Sequence, residues 1–538
     1  MNDKERRETA DAQYDLGVTY STTLNGDRQM NLEKAIACFQ AALEIYTLDL
    51  FPGAWARTQH DLGVAYRNLL RGDRETNLKK SLAALQASLE VYTRETFPVE
   101  WARTQYSLGM TYMGMTIVSL PSGSRLVLLR KTLACFQAAL EIYTLTTFPA
   151  EWARVQNSLG NLYCLLPSDD RYATLLKAIV CYENALSVYT FESSPDEWAR
   201  IQHNLGNVYS FLPAGDRQTN LQKSIKYYQA ALRVNTYESH PDHWADTMHC
   251  LGNAYRNLTG GDNENNLQSA AVCYTAALRV YTREQTPTDW AMVQCSLGVT
   301  YNLMQTGEEQ ARLERAVACF RSALQVYTYE THPYEWAKTQ NMLGLTYLDM
   351  PGGNQEANLH YAVECFEATL RVYSHENFPI GWAAVQNNLG NTLSNLTSGD
   401  WQANLEKAVA CYEAALQVYN RKAFPLDWAR TQSNLGNVYC SLTSGDRRAN
   451  IHKAIACYRA ALLVYTGEDS KVEWARTQNS LGNAYSSLPD EDRQECLERA
   501  IACYEEALQI FLTLQMDSQA RGVQENLARA RRNLETLA

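Results

Sequence analysis

The sequence predicts an all-α protein: a right-handed superhelical solenoid of about eleven antiparallel helix pairs, running through residues 1–538 as a single repeat domain. Three observations predict it. Tryptophan stands at 55, 101, 152, 198, 244, 290, 336, 382, 428 and 474, a 46-residue period broken once by five extra residues between Trp101 and Trp152. Eight residues after each Trp comes the Gly of a Leu-Gly pair, as in Leu62-Gly63 and Leu205-Gly206, and the pair Leu16-Gly17 marks a first repeat that lacks its Trp. Both halves of each unit repeat their apolar residues at helical spacing, and a fixed period of this length is the mark of stacked supersecondary units.

Each unit reads Pro-x-x-Trp-Ala-x-x-Gln-x-x-Leu-Gly-x-x-Tyr, then a turn, then Asn-Leu-x-x-Ala-x-x-Cys-Tyr-x-x-Ala-Leu-x-Val-Tyr. Proline three residues before Trp, from Pro52, Pro98 and Pro149 on to Pro425, suits the first turn of a helix, where its missing N–H costs nothing. The acid that often precedes Trp, such as Glu100, Glu197 or Asp427, suits the positive end of the helix dipole. Gly26-Asp27, Gly72-Asp73, Gly215-Asp216, Gly399-Asp400 and Gly445-Asp446 mark the turn and place a capping carboxylate before the second helix. The last segment, 518–538, carries Ala520 and Ala528 where Trp and Gly would fall and is rich in Arg and Glu, as expected of a C-terminal capping helix.

These motifs resemble the tetratricopeptide repeat (TPR) family, whose first helix carries Leu-Gly-x-x-Tyr and whose second carries Ala-x-x-x-Phe. Leu62-Gly63-Val64-Ala65-Tyr66 and Ala35-Ile36-Ala37-Cys38-Phe39 carry the match, which covers nearly the whole chain. That family's unit is about 34 residues, so the units here are long, with the surplus in the turn and between repeats. Gln59, Gln105 and Gln156 stand where the family often has its Trp, and the Trp here lies one turn earlier. The variant is similar to bacterial arrays linked to caspase-like CHAT effector domains; no such domain is present in these 538 residues.

Composition bounds the function. With 46% hydrophobic and 20% charged residues the chain buries a core and is not disordered. A net charge of -11 argues against nucleic acid or an acidic membrane surface as the main partner. The charged start, Met1-Asn2-Asp3-Lys4-Glu5-Arg6-Arg7, and the lack of a long apolar run lead to the expectation of a cytoplasmic protein. Nine of fourteen cysteines (Cys38, Cys135, Cys181, Cys273, Cys319, Cys365, Cys411, Cys457 and Cys503) recur at one register, and no CxxC pair occurs, so cysteine is expected to act as a small apolar packing residue. No Gly-rich phosphate loop, GxSxG or HExxH occurs. The expectation is a binding protein without a cofactor, not an enzyme.

Taking each Trp as offset zero, the residues at 0, 4, 7, 8 and 11 share one packing face, and the Trp, Leu, Gly and Tyr among them are expected in the core. Offsets 2, 5 and 9 share the opposite face, which the family resemblance places along a concave groove. That stripe is polar: Arg154, Asn157 and Asn161; Arg200, His203 and Asn207; Asp246, His249 and Asn253 in the central repeats. Asn can hydrogen-bond an extended peptide in both directions and Arg can hold a carboxylate or phosphate bidentately. These nine residues are the expected ligand-binding set, and a structural ladder between neighbouring repeats is the alternative reading.

The unit from Lys226 to Asn253 departs most from the repeat: Tyr227, Asn235, Asp246 and Met248 replace the usual residues, with His240, His243 and His249 nearby. Three readings stay open: a pocket in which His203, His249 and Asp246 read a ligand, a metal site of His243, Asp246 and His249 or Cys250, and ordinary drift. The apolar stretch Met113–Leu120 could dock a partner or extend a first helix. The expected partner is a protein or peptide; the runner-up is a small anionic metabolite or nucleotide, sensed on behalf of a separate effector protein.

Overall fold

The computed structural model describes residues 3–23, 26–117, 122–466, 470–488 and 493–537. Among the described residues there are 23 α-helices and no strand, which makes eleven pairs and one further helix. The chain is all-α, and its helix pairs follow one another in sequence order.

It divides into two compact units, Met1–Asn263 and Glu264–Ala538. In the first, pairs run from Asp3–Thr22 with Arg28–Leu43 to Pro195–Phe211 with Arg217–Ala231, followed by Pro241–Asn257. Each first helix packs on its own second helix and that one on the next first helix. The second unit repeats the arrangement from Pro287–Leu303 with Glu309–Ala323 to Lys471–Ser486 with Arg493–Thr513. Its last helix, Asp517–Glu535, buries Ala520, Val523, Leu527 and Ala530 on one face and turns its Arg and Glu residues outward.

Local chemistry sets the boundaries. Proline opens each first helix from Pro52–Asn68 to Pro425–Ser441, and the residue before it has φ between −134° and −152°. The connection before it is held by a side-chain turn: Thr96 N donates to Thr93 Oγ1 at 3.2 Å, and Thr147 to Thr144 and Thr331 to Thr328 do the same. Most second helices start on a capping aspartate, and Gln355–Leu370 starts on Asn354. Asp27 accepts from Gln29 N and Met30 N, and Asp73, Asp216, Asp400 and Asp446 cap their helices likewise. The glycine before each has φ between 74° and 86°, a conformation that L side chains rarely adopt.

The glycine at offset eight lets the pair close. A Cβ on Gly160 would lie 2.5 Å from Tyr182 Cε1, and one on Gly17 would lie 2.7 Å from Phe39 Cε1. The second-helix ring therefore lies flat on the first helix, and Phe39, Phe136, Tyr182, Tyr228, Tyr412 and Tyr458 are among the largest fully buried side chains. The Leu ladder from Leu62 onward and the helix-ending Tyr46, Tyr92 and Tyr143 are buried as expected.

The Trp ladder is a correction: its members are only partly buried, while the alanine that follows each, from Ala56 to Ala475, is fully buried. The indole lies at the end of the pair, where an edge-on aromatic and a guanidinium cover it, as Phe191 and Arg233 cover Trp198. The cysteines are free, and Cys181, Cys273, Cys319 and Cys365 are buried. The helix Pro98–Met115 is one residue longer than its neighbours; of the apolar stretch beyond it, Val118, Ser119 and Leu120 lie outside the described residues.

Candidate functional site

Successive first helices meet along a polar seam. Offset five of one repeat faces offset three of the next: His203 Nδ1 lies 3.0 Å from Thr247 Oγ1, Cys295 Sγ 3.2 Å from Thr339 Oγ1, and Ser433 Oγ 3.2 Å from Thr477 Oγ1. Nearer the start, offset five meets offset six, with Tyr14 Oη donating to Asp61 at 2.6 Å and His60 Nε2 3.2 Å from Ser107 Oγ.

Two further ties use tyrosine. The second-helix Tyr donates to the offset-nine Asn of its own repeat: Tyr182 to Asn161, Tyr228 to Asn207, Tyr412 to Asn391 and Tyr458 to Asn437, at 2.6–2.8 Å. The Tyr that ends the second helix reaches back to a first-turn carbonyl, Tyr189 to Ala150 at 2.9 Å and Tyr327 to Thr288 at 3.3 Å.

The nine stripe residues are therefore placed unequally. Arg154, Arg200 and Asp246, at offset two, are exposed. Asn157 and His249, at offset five, are buried at 3% and 6% exposure, and His203 is nearly so. Asn161 and Asn207 accept their tyrosines, and Asn253 Nδ2 meets His249 Nε2 at 3.1 Å. Among these nine residues offsets five and nine are turned into helix–helix contacts, and the exposed ones are those at offset two.

Around offset two the departures of Lys226–Asn253 converge. A recess of about 320 Å³ lies between two first helices. Asp196, Glu197, Arg200 and His203 of Pro195–Phe211 form one wall; His243, Asp246 and Thr247 of Pro241–Asn257 form the other; Asn235 and His240 close the end. Asn235 replaces the helix-ending Tyr, whose longer side chain elsewhere crosses to the carbonyl two residues before the preceding Trp, here that of Asp196. His249 is not among the lining residues.

A hydrogen-bond chain fixes the His203 ring. Thr247 Oγ1 donates to the His243 carbonyl at 2.7 Å, so it accepts from His203 Nδ1–H. Tyr228 fixes the Asn207 amide through Oδ1, leaving Nδ2 to donate to His203 Nε2 at 2.9 Å. The Nε2 lone pair is thus taken by the Asn207 amide, and Asp246 Oδ2 lies 3.4 Å from the same nitrogen at the recess edge. Burial lowers the pKa of His203, opposed by the negative charge of Asp246. Burial also holds His249 down to about 4 and pushes the Cys250 thiol up to about 12.

Sequence reasoning missed the glycine-facing tyrosine as partner of the Asn ladder, although the signal was present. Asn stands at offset nine wherever the second-helix ring is Tyr (Tyr182, Tyr228, Tyr274, Tyr412, Tyr458, Tyr504), and an apolar residue stands there wherever it is Phe or Leu, as in Val299 with Phe320. A polar partner is needed only where a hydroxyl is buried.

No protein-family profile matches the chain, and no curated protein matches it. Solved structures resemble it at low similarity. The Cut9–Hcn1 hetero-tetramer of APC/C aligns with a TM-score of 0.37 and 15% identity over 98% of this chain and 96% of that one. IFIT1, as a monomeric mutant with Gppp-AAAA, gives 0.38 and 14% over 95% and 96%. The TPR domain of P58(IPK) gives 0.28 and 12% over 98% of each.

Proposed function

We propose that the chain is a non-enzymatic binding scaffold that holds an extended segment of a protein or peptide partner along its row of first helices. The observation that carries this reading is one recess returning at one register. In the first unit Arg57, Tyr92 and Glu100 line it near the start, and Arg200, Asn235 and His243 line it further on. In the second unit Arg430, Tyr465 and Glu473 line it. Concavities of one register on the first helices suit a ligand that is itself extended, because side chains spaced along it can enter separate recesses. The usual recess offers a guanidinium from one repeat and a carboxylate from the next. An acidic side chain of the partner gains two charge-assisted bonds from the guanidinium, and its backbone N–H groups can be taken by the carboxylate.

Fluorescence anisotropy with labelled acidic, basic and neutral unstructured peptides tests the reading. Acidic peptides should bind, and Arg57→Glu or Arg430→Glu should each weaken binding at least about tenfold, the loss of one charge-assisted contact of about 1.5–3 kcal/mol. Equal affinity for all three peptide classes in the wild type and both variants would sink it.

A second reading takes the Arg200–Asp246 recess as the receptor for a small anionic metabolite or nucleotide that regulates a separate effector protein. It is supported by the crowding of departures there: Asn235, His243 and Asp246 all differ from their register mates. A nucleotide-induced rise in melting temperature that disappears in Arg200→Ala and His243→Ala would favour it over the peptide scaffold.

A further inference from the structure

We propose that His203, Asp246 and Cys250 form a binding site for one divalent transition-metal ion of the zinc class. His203 comes from Pro195–Phe211; Asp246 and Cys250 come from Pro241–Asn257, four residues apart and so on one face of that helix. One ligand atom from each lies within 4.8 Å of the others. Asp246 Oδ2 is 3.4 Å from His203 Nε2, and Asp246 Oδ1 is 3.9 Å from Cys250 Sγ. Ligand atoms around a tetrahedral zinc stand about 3.3–3.8 Å apart, given its bond lengths to N, O and S, so the three groups need only a small inward movement.

The donor set selects the metal. Imidazole nitrogen with thiolate sulfur favours a borderline-soft ion over calcium or magnesium, which take oxygen alone. Three protein ligands leave the fourth tetrahedral position to a water or to a ligand group in the recess. Thr247 supplies the orienting contact that metal-binding histidines ordinarily have, holding Nδ1–H so that Nε2 is left as the unprotonated nitrogen on the side of Asp246. Binding exchanges the neutral Asn207 hydrogen bond at Nε2 for a metal–nitrogen bond. It also converts the Cys250 thiol to a metal-bound thiolate, releasing one proton to solvent.

The combination belongs to this place in the array. Across the ten Trp-bearing repeats Asp246 is the one acid at offset two, and Cys250 the one cysteine at offset six. At the same three positions the second unit has Ser433, Arg476 and Ser480, where the guanidinium would repel a cation.

Cobalt(II) titration of the full-length protein, stripped with chelator, tests the site. One equivalent should produce tetrahedral d–d bands and a near-ultraviolet thiolate-to-cobalt band, both abolished by equimolar zinc. Cys250→Ser should remove the near-ultraviolet band, and Asp246→Arg, which restores the residue of other repeats, should weaken cobalt binding at least tenfold. The pair Asn207→Val with Tyr228→Phe, which copies the pairing of Val299 with Phe320, removes the competing amide and should keep or tighten binding. Far-ultraviolet circular dichroism checks the fold of each variant. A wild type without the bands, bands that survive Cys250→Ser unchanged, or undiminished affinity in Asp246→Arg would each overturn the proposal.

Discussion

Tyr182 donates its hydroxyl hydrogen to Asn161 Oδ1 at 2.7 Å, and the same oxygen accepts from Asn204 Nδ2 at 3.1 Å. One asparagine thus links the two helices of its repeat and the next repeat's first helix. The arrangement recurs in the second unit, where Asn391 Oδ1 accepts from Tyr412 and from Asn434.

Tyr182→Phe should therefore destabilise the protein by about 1 kcal/mol, the net worth of a buried hydrogen bond. Asn161→Val alone should cost more, because it strands the buried hydroxyl. The double variant reproduces the apolar pairing of Val299 with Phe320 and should recover most of the loss. A double-mutant cycle in urea measures the coupling; strict additivity would show that the tie contributes nothing.

How much of this was legible in the sequence follows from the range of each interaction. Pro52, Gly72 and Asp73 act within a few residues, so helix starts and turns could be read directly. Gly160 and Tyr182 lie 22 residues apart on packed helices of one repeat, and their coupling is written in the repeat alignment. What could not be read is the angle at which one first helix meets the next. That angle buries Asn157 and His249 in the seam and leaves Arg200 and Asp246 outside. A helical wheel assigns residues to a face but does not say which side of that face a neighbour covers. The departures at Asn235, His243 and Asp246 line a concavity that repeats without them also carry, so they change its lining rather than its presence.

His249 links stability to pH. Burial holds its pKa at about 4, opposed by Asp246 and reinforced by the positive charge of Arg256. The folded-state value lies below the unfolded value of about 6.5, so the unfolded chain takes up the proton first. Above that range the group has no effect. As pH falls from about 6.5 to about 4 the folded state should lose up to about 3 kcal/mol, and no more below it. Asn stands at this offset in other repeats (Asn157, Asn341, Asn387), so His249→Asn is compatible with the fold. Its melting temperature should fall less steeply than that of the wild type between those pH values. Parallel curves would rule out His249 as the source.

Asn235→Tyr should convert the Arg200–Asp246 recess to the Tyr-lined form found at Tyr92 and Tyr465. The new hydroxyl should reach the Asp196 carbonyl as Tyr189 reaches that of Ala150, adding about 1 kcal/mol. Melting temperature should rise while a ligand that contacts Asn235 binds more weakly, and peptide contacts at Arg57 and Arg430 should survive. Ligand binding unchanged by the added ring would place the ligand elsewhere.

The seam also contains a defect that can be repaired. Asn341 Oδ1 is buried without a hydrogen-bond partner, as is Asn157 Oδ1. Their counterpart Asn387 meets Thr431 Oγ1 at 3.0 Å, whereas Val385 and Ile201 occupy the corresponding positions opposite Asn341 and Asn157. Replacing a buried valine with threonine ordinarily costs stability, because the hydroxyl is desolvated. At Val385 the one hydroxyl hydrogen should go to Asn341 Oδ1, as that of Thr431 reaches Asn387 Oδ1, with the carbonyl one turn back as the competing acceptor, as that of Asp427 is for Thr431. Val385→Thr should therefore be neutral or stabilising by up to about 1 kcal/mol. Val155→Thr is the control: Tyr106, the residue opposite, already meets Ser158 at 3.1 Å, so the new hydroxyl relieves no orphan and the usual cost should appear. Urea unfolding of the two variants distinguishes the cases, and equal destabilisation would mean that the Asn341 oxygen gains nothing from the threonine.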